Sequence, residues 1–393
     1  EIEFSIENNG QSVIDLYNSE LEIAFRVVKE NGAALAAADK VACINYIGAS
    51  MFDQVDLFLN QEPVSQRAPN YAFRAIVESI LNYGKDTIPT WLESGAFYAD
   101  TPGELDNADP IPAQPTDARN AGLVTRHALS KESRRVVTNA RLHLDMFLQG
   151  KPLVNGVAMR LKFHRNKDAY CLMSSEANAA YKIEILDMTL FLRKVRLADD
   201  VYTAMVLKDI QYPITRVDIR EHISGTGTKN WNVQNLVKGV LPTKIVLGLV
   251  ASAATNGNYK RNPFLFGHKD LSKLELMVDG AIVDGSSLEF DFDSHRYMDG
   301  FRTLARGTGK KYRDESTMIG YDDFAKGFAL FAFDLSPSLC DGQYKDPPRN
   351  GDVSLALTFK KNITEPLTLC VYLQYDSKIV INTAKEVTTF FQT

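Results

Sequence analysis

The stretch Phe52-Asp-Gln-Val-Asp-Leu-Phe-Leu-Asn60 recurs as Leu271-Ser-Lys-Leu-Glu-Leu-Met-Val-Asp279, with apolar residues matched to apolar and polar to polar at almost every place. Apolar and polar residues alternate in both stretches, which is typical of a β-strand with one buried face. The two stretches are 219 residues apart in a chain of 393. The match therefore indicates that a β-rich unit is present twice.

Three further matches follow the same order along the chain. They pair Leu21, Ile23 and Phe25 with Ile245, Leu247 and Leu249, Leu142-His-Leu-Asp145 with Phe331-Ala-Phe-Asp334, and Leu161-Lys-Phe-His-Arg-Asn166 with Leu357-Thr-Phe-Lys-Lys-Asn362. Alternation alone can align two β-rich segments, but four matches in one order favour a duplicated unit. The offset falls from 219 residues at the Phe52 match to 189 residues at the Leu142 match, so the first copy carries a longer insertion between these two matches.

Alternation with a period of two dominates the chain and predicts an all-β fold. The predicted strands cover residues 21–28, 55–59, 140–147, 157–163, 181–192, 215–219, 244–250, 271–278, 328–334, 353–359 and 367–375. Two such copies favour tandem sandwiches with Greek-key connections, so we predict two eight-stranded jelly rolls, a double jelly roll, with short flanking helices. The N-terminal jelly roll is expected over residues 1–200 and the C-terminal one over residues 205–393.

Two stretches are too long for hairpin turns and are predicted to be functional loops. They are residues 84–136, rich in Pro, Asp, Ala and Gly, in the first half and residues 293–326 in the second. A helix is predicted between Pro69-Asn70 and Gly84, because its apolar residues recur at i, i+3 and i+4, and it would lie over one opening of a sheet sandwich. Weaker helical patterns cover residues 299–304 and residues 199–208, the latter at the join of the two halves.

Composition excludes several classes of protein. The chain has 44 Lys and Arg against 49 Asp and Glu, a net charge of −5, whereas clamping a nucleic-acid backbone needs a basic excess. The longest apolar stretch, residues 245–254, is about half of the roughly 20 residues of a membrane-spanning helix. The first ten residues show no secretion signal, and the cysteines at 43, 171, 340 and 370 are widely spaced, as is typical of core thiols in a reducing compartment.

The sequence predicts no catalytic, cofactor-binding or metal-binding residues. The six histidines form no His-x-His pair, and His143 and His164 are expected on the polar faces of their strands. Gly307-Thr-Gly-Lys-Lys311 lacks the first Gly and the final Ser or Thr of a phosphate-binding loop and is interpreted as a solvated turn. Asp291 and Asp293 share a strand face but lack the spacing of a calcium loop, so solvated charge is the simpler interpretation. The basic runs 131–135 and 310–313 could contact phosphate or an acidic partner, or be solvated loop charges.

Several longer motifs resemble a known family. They are Ser50-Met-Phe-Asp-Gln-Val-Asp-Leu-Phe-Leu-Asn60, Asn70-Tyr-Ala-Phe-Arg74, Asn262-Pro-Phe-Leu-Phe-Gly-His268 leading into Leu274-Glu-Leu-Met-Val-Asp-Gly280, and Tyr321-Asp-Asp-Phe-Ala-Lys-Gly-Phe-Ala-Leu-Phe-Ala-Phe-Asp-Leu335. Together they resemble the hexon-like double jelly-roll major capsid proteins, with the nearest likeness to those of Maverick/Polinton elements and adintoviruses. The resemblance extends from Ile2 to about Ile381 and consists of strand and turn patterns.

The resemblance implies a non-enzymatic structural protein of the virion. Such a protein would form a homotrimer, a pseudo-hexagonal capsomer, and tile an icosahedral shell. Its partners would be neighbouring capsomers, penton and minor capsid proteins, and encapsidated double-stranded DNA by weak contacts at most, with no membrane span. It would be synthesised in the host cytoplasm. The length and polarity of the two long loops suggest that they project outward or connect the subunits, and the paired aromatic residues of the C-terminal Thr388-Thr-Phe-Phe-Gln-Thr393 suggest that it docks on a neighbour.

Two other interpretations of the residues stay open. Jelly rolls also occur in lectins, so the chain could be a glycan-binding double β-sandwich. A jelly-roll enzyme whose metal is held by distant histidines is the third possibility.

Overall fold

The structure, a computed structural model, describes residues 1–390 except 9, 11, 66–68, 112, 113, 115–117, 312–315 and 337–346. Its strands are β1 (Ile2–Ile6), β2 (Ser12–Lys29), β3 (Val41–Cys43), β4 (Phe52–Leu59), β5 (Glu62–Pro63), β6 (Val136–Arg141), β7 (Met159–Arg165), β8 (Leu172–Ser174), β9 (Tyr181–Arg196), β10 (Ile210–Ile223), β11 (Asn230–Val240), β12 (Lys244–Ala251), β13 (Leu271–Val278), β14 (Ala281–Glu289), β15 (Leu330–Asp334), β16 (Asn350–Phe359), β17 (Leu367–Ile381) and β18 (Val387–Thr389). Its α-helices are α1 (Ile47–Ser50), α2 (Tyr71–Asn82), α3 (Ala121–Ser130), α4 (Asp168–Cys171), α5 (Asp199–Val206), α6 (Ser252–Thr255), α7 (Met298–Gly307) and α8 (Tyr321–Ala325).

The strands from β10 onward form two four-stranded antiparallel sheets with crossed connections. Their orders are β10-β17-β12-β15, with the short β18 on β17, and β11-β16-β13-β14. Consecutive strands therefore alternate between the two sheets over much of the unit, which is the jelly-roll form of the Greek key. The alternation in β16 gives the strand one face for the core, because the apolar residues are buried and the residues between them are not. The buried residues are Val353, Leu355, Leu357 and Phe359.

The strands before residue 197 repeat this arrangement. One sheet has the order β1-β7-β4-β5, which matches β11-β16-β13-β14 strand for strand, and the other has the order β6-β2-β9, which matches β15-β12-β17. A two-stranded ribbon, β3-β8, is additional. Within the described residues no strand pairs with the far edge of β9, the position that β10 occupies beside β17. The prediction of an all-β double jelly roll is confirmed.

The strand ladders give the register of the repeat directly. The ladder of β4 has a register shift between Phe52 and Gln54, and that of β13 has one between Leu271 and Lys273, so the match of Phe52–Leu59 with Leu271–Val278 at an offset of 219 is correct. The ladders place Phe163 opposite Val55 and Leu357 opposite Leu274, an offset of 194. The match of Leu161 with Leu357, an offset of 196, was therefore two residues out, which keeps every side chain on its predicted face.

The match of Leu142–Asp145 with Phe331–Asp334 is wrong. Thr138 in β6 pairs with Ile23, and Phe331 in β15 pairs with Leu247, the counterpart of Ile23. The true counterpart of Phe331 is therefore Thr138, four residues before Leu142. The predicted strand 140–147 accordingly ends at Arg141, and residues 145–147 form a 3₁₀ turn. The chain leaves the sheet because the backbone N–H of His143 donates to the Tyr71 hydroxyl at 3.0 Å instead of to a strand.

The predicted helices are all present. The strongest, α2, begins after Asn70, whose φ of 76° marks a turn, and ends at Asn82, two residues before the expected Gly84. The other two are α5, where the halves join, and α7, which extends beyond the predicted residues 299–304. Helix α2 is buried over almost its whole length, because it lies between the two jelly rolls.

Candidate functional site

The two long loops pack against each other, and together we call them the loop cap (described residues of 84–136 and 293–326). Lys85 Nζ lies 2.5 Å from Asp323 Oδ2, which joins one loop to the other. The backbone N–H of Met318 donates to Ile80 O at 2.9 Å, and that of Gly103 donates to Lys326 O at 2.8 Å. The loop cap therefore covers the C-terminal end of α2 with chain from both halves of the protein.

Arg126 on α3 anchors the first loop to the body of the protein. Its guanidinium is almost wholly buried and lies 2.7 Å from Asp100 Oδ1. The same group donates to Cys43 O at 2.9 Å and to Tyr98 O at 3.2 Å. Hydrogen bonds to a buried, charged donor are among the stronger ones in proteins, so this loop has a defined conformation.

A cavity of about 200 Å³ lies beneath the loop cap. It is lined mainly by apolar side chains from both halves, among them Ile76, Ile80, Ile88, Phe97, Phe264 and Phe328. The charged groups at its wall already have partners, because Lys85 pairs with Asp323 and Asp100 with Arg126. The cavity thus offers packing space and no group prepared for acid, base or nucleophilic chemistry.

A buried charged cluster lies where the two jelly rolls meet. Arg74 Nε on α2 donates to Glu78 Oε1 at 2.8 Å, and Arg74 Nη2 lies 2.8 Å from Asp145 Oδ1. From the second half, the Tyr372 hydroxyl donates to Glu78 Oε1 at 3.4 Å, and Arg216 Nη2 lies 3.9 Å from Asp145 Oδ2. Two buried cations thus face two buried carboxylates across the boundary between the jelly rolls.

His143 completes the cluster on the side of the first jelly roll. Its Nδ1 lies 2.7 Å from Glu78 Oε2, so Nδ1 donates to that carboxylate, and its Nε2 is 3.2 Å from the Tyr46 hydroxyl. The expectation that His143 lies on the polar face of a strand is wrong, because it follows the end of β6 at Arg141 and is covered by α2, which leaves it 2% exposed. His164 is half-exposed on β7, in line with its prediction, with Nε2 3.4 Å from Asp56.

Burial and charge act in opposite directions on Glu78. Burial raises the pKa of its carboxyl group, whereas Arg74 and the hydrogen bond from His143 lower this pKa by a larger amount. The resulting pKa of Glu78 is about 2. Removing one member of such a cluster leaves an uncompensated buried charge, which is strongly destabilising. The cluster therefore disfavours any arrangement of the two jelly rolls that separates Arg74 and Glu78 from their partners.

The other residues considered for chemistry are in ordinary surroundings. Lys360 Nζ neutralises Asp291 at 3.3 Å and Asp293 at 2.6 Å. Gly307 is the last residue of α7, and the residues after it form a turn in which Gly309 has a φ of 70°. The interpretation of Gly307–Lys311 as a turn therefore fits the residues after Gly307. Across the part of the chain that the structure describes, no three His, Cys, Asp or Glu side chains are grouped to hold a metal ion.

One of the two basic runs and the C-terminal motif lie only partly within the described residues. Of the basic runs, Lys131 lies in a 3₁₀ turn and Arg134 is exposed, whereas Tyr312 and Arg313 lie outside the described residues. Phe390 is 45% exposed, and Lys378 Nζ lies 5.1 Å from its ring centre. The rest of the C-terminal motif, residues 391–393, lies outside the described residues, so its docking on a neighbour stays a prediction.

Sequence patterns alone did not identify the buried cluster. Arg74 and Glu78 stand four residues apart on an otherwise apolar helix, and that spacing is the signal by which an i, i+4 ion pair facing a protein interior could have been recognised. Asp145 and Arg216 carry no comparable local signal, because they reach the cluster from distant parts of the chain. None of the helices within the described residues is long and apolar enough to cross a membrane.

Comparison with known proteins gives one relative by sequence and several by structure. No family model matches the chain. An uncharacterised protein of Caenorhabditis elegans is 25% identical over 392 residues, which cover 95% of this chain and 89% of the relative. A chain from the Sputnik virophage superimposes with a TM-score of 0.67 at 12% identity, covering 100% of this chain and 85% of that chain. The mavirus major capsid protein superimposes with a TM-score of 0.57 at 11% identity, covering 99% and 87% respectively. At these identities the structural likeness shows a common fold.

Proposed function

We propose that this chain is a viral major capsid protein that assembles as a homotrimer and tiles an icosahedral shell. The observation that supports it best is the double jelly roll itself, in which one arrangement of strands occurs twice in a single chain. The mavirus major capsid protein shares this fold over nearly the whole chain. Within this proposal, an origin close to the Maverick/Polinton and adintovirus proteins rests on the sequence motifs alone.

Duplication has a direct consequence for assembly. Three chains with two similar jelly rolls each supply six similar units around a three-fold axis, so the trimer has an almost hexagonal outline. Heterologous contacts that close into a ring give a discrete particle, and discrete hexagonal blocks can tile a surface. The proposal therefore accounts for the length of the chain as well as for its fold.

The role is structural, with no catalysis, cofactor or metal. The charged groups around the cavity and between the jelly rolls are paired with one another, which suits a rigid building block. The net charge of −5 favours weak and local contacts with encapsidated DNA. Neighbouring capsomers, penton proteins and minor capsid proteins are the expected partners, in a virion whose proteins are made in the host cytoplasm.

The loop cap is the part of the chain proposed to face outward or to connect subunits. It combines polar chain with a fixed conformation, since Arg126 and the Lys85–Asp323 pair hold it in place. Deleting residues 107–119 would remove much of the first loop and keep Asp100, the partner of Arg126, and Asp106, the partner of Arg261. If the loop cap connects subunits, this deletion abolishes trimers; unaltered trimers would leave only the outward-facing role.

Negative-stain electron microscopy of the purified chain, concentrated under assembly conditions, tests the function. We expect hexagonal particles about as wide as a six-barrel ring, and closed or partial shells built from them. A dispersed monomer that instead binds a glycan array would support the lectin-like alternative. A monomer with one bound metal per chain would support the metal enzyme.

A further inference from the structure

We infer that the cavity beneath the loop cap is a binding site for one small uncharged aromatic molecule, about the size of a substituted benzene. The cavity has a volume of about 200 Å³ and opens towards solvent at one side. Its size, its apolar walls, the pairing of its polar groups and its position between the two halves of the chain support this assignment. The site does not depend on the capsid role.

The volume of the cavity sets the size of the ligand. An apolar cavity of about 150 Å³ in a protein interior takes up one benzene molecule. A volume of about 200 Å³ therefore leaves room for a benzene ring with one or two further atoms. Pockets for drug-sized molecules begin at about 300 Å³, so the cavity is too small for such a ligand or for an oligosaccharide.

Two phenylalanine rings in the wall are held in place from behind. Phe97 of the first loop packs edge-on against Tyr46, with ring centres 5.7 Å apart. Phe264, from the segment before β13, packs edge-on against Tyr170 at 6.2 Å. Aromatic rings attract a further ring in offset or edge-on arrangements, and these two need no rearrangement to receive one. The walls therefore favour an aromatic ligand.

Aliphatic side chains form much of the remaining wall. Ile76 and Ile80 come from α2, Leu105 from the first loop and Met318 from the second, and each is at most 7% exposed. Side chains that border an empty space lack contacts on that side, and an apolar ligand supplies them. The cavity therefore gains most from an occupant that fills it with carbon atoms.

The polar groups that line the cavity are already engaged. Asn45 Nδ2 donates to Tyr98 O at 2.8 Å, and Asn45 Oδ1 accepts from the backbone N–H groups of Tyr46 at 3.0 Å and Tyr98 at 2.9 Å. The charged groups of the wall are paired, as described above. A charged ligand would lose its hydration without gaining a partner, whereas an uncharged ring has little hydration to lose.

The Lys85–Asp323 ion pair lies at the entrance to the cavity. Both residues line the cavity, and their side chains are 61% and 17% exposed, so the pair lies between the cavity and solvent. Exposed ion pairs contribute little to stability. The pair can therefore separate to admit a ligand while the buried groups around Arg126 and Arg74 stay in place.

A bound ligand would connect the parts of the chain that meet at the cavity. These parts are α2, the two loops of the loop cap and the segment before β13. The ligand binds only when they are together, so its binding stabilises that arrangement over any in which the loop cap is detached. A small molecule could in this way adjust the rigidity of the loop cap.

Fluorobenzene is the probe that tests the inference, and its binding to the purified full chain is followed by fluorine NMR. We expect saturable binding of one molecule per chain, with a dissociation constant of about 1 mM or lower. At about ten times that concentration, the melting temperature of the protein should rise by about 1–2 °C. Absence of saturable binding would overturn the inference.

Two substitutions that fill the cavity locate the site. Met318→Trp and Ile88→Trp each place a larger ring in its wall and should weaken the binding of fluorobenzene by at least about tenfold. Ile282→Trp is the matched control, because it places the same ring on β14 at a residue that is 51% exposed and outside the cavity wall. Its binding of fluorobenzene should equal that of the wild type. Circular dichroism spectra equal to that of the wild type would show that a variant is folded, and unchanged binding by a folded filling variant would overturn the inference.

Nuclear Overhauser effects in the wild type locate the probe without any substitution. They are expected between fluorobenzene and the methyl groups of Ile76, Ile80 and Met318. Contacts with methyl groups outside the cavity alone would overturn the inference.

A charged analogue tests the chemical class of the ligand. The carboxylate para-fluorobenzoate should bind at least about tenfold more weakly than fluorobenzene, because the charged groups of the wall already have partners. Tighter binding of the carboxylate would overturn the assignment to an uncharged ligand. None of these results bears on trimers or shells, which test the proposed function separately.

Discussion

Arg74 illustrates at the scale of one residue how the two jelly rolls are held together. Its guanidinium neutralises Glu78 and Asp145 at once, in a region where water cannot replace it. We expect Arg74→Met, which keeps the length of the side chain and removes the charge, to lower the free energy of unfolding by about 3–5 kcal/mol. Thermal or denaturant unfolding followed by circular dichroism measures the change.

Arg134→Met is the control for that substitution. Arg134 is exposed and lies 3.6 Å from Glu132, so its loss should change the free energy of unfolding by at most about 1 kcal/mol. Equal effects of the two substitutions would contradict the role given to the buried cluster.

Glu78 makes the stability of the protein depend on pH. Its folded pKa of about 2 lies below the ordinary value of 4.5, so its carboxylate stabilises the folded state above about pH 4.5. That contribution is lost progressively as the pH falls from about 4.5 towards 2, where the folded carboxyl group takes up a proton. We expect Glu78→Gln to be less stable than the wild type at pH 7 and to lose less stability on acidification, as measured by melting temperatures at a series of pH values. A variant that follows the acid curve of the wild type would show that Glu78 is not the group responsible.

The residue scale is also where the sequence was least informative. The charged cluster joins residues from α2, the turn at 145–147, β10 and β17, and no motif in the sequence points to it. Such a cluster depends on how two jelly rolls are placed in space, which no spacing in the chain encodes. His143 shows the same limit, since its strand-like surroundings predicted exposure and the neighbouring helix buries it.

At the scale of single elements, alternation identified the strands at the centre of each sheet and missed several strands at the edges. The strands at the centre of each sheet, such as β12 and β16, carry a clear apolar pattern because at least one face is buried. Strands such as β5 and β14 have few buried residues and were not predicted. The misaligned match at Leu142 has a related cause, because apolar residues continue past the end of β6 into a turn that packs beneath α2.

Helix α7 needs a glycine where it crosses β15. A Cβ atom on Gly307 would lie 2.3 Å from Ala332 O and 2.5 Å from Ala332 C, so helix and strand would have to separate. Alanine is favoured over glycine inside a helix by up to about 1 kcal/mol, and overpacking of this kind costs about 1–3 kcal/mol. We therefore expect Gly307→Ala to lower the melting temperature. Gly150→Ala, where a Cβ atom meets nothing within 4 Å, is the matched control and should have little effect.

Strand β9 should be the least protected long strand of the first jelly roll. Leu190 and Met188 face the core side but are only partly buried, whereas Leu373 and Val371, their counterparts on β17, are fully buried beside β10. Amide groups at an unpaired strand edge exchange with solvent more readily than those in a closed ladder. Hydrogen–deuterium exchange resolved by peptide should show faster exchange for residues 185–192 than for residues 367–374. Equal protection would mean that another segment covers the edge of β9 in solution.

At the scale of the whole molecule, the repeat connects sequence, fold and function. The match between the stretches at Phe52 and Leu271 predicted two similar units, and the sheets show the same strand order in each. What the sequence could not supply is the placement of one jelly roll against the other, which depends on α2 and the buried cluster around Arg74.

The most direct test of this account is the mass of the purified chain in solution, measured by light scattering coupled to gel filtration. One chain has a mass of 43.9 kDa, so a trimer has a mass of about 132 kDa. We predict that the trimer is the stable species at micromolar concentration and that no dimer accumulates on dilution, because a ring of three chains closes only when complete. A mass of 43.9 kDa at all concentrations would contradict the account.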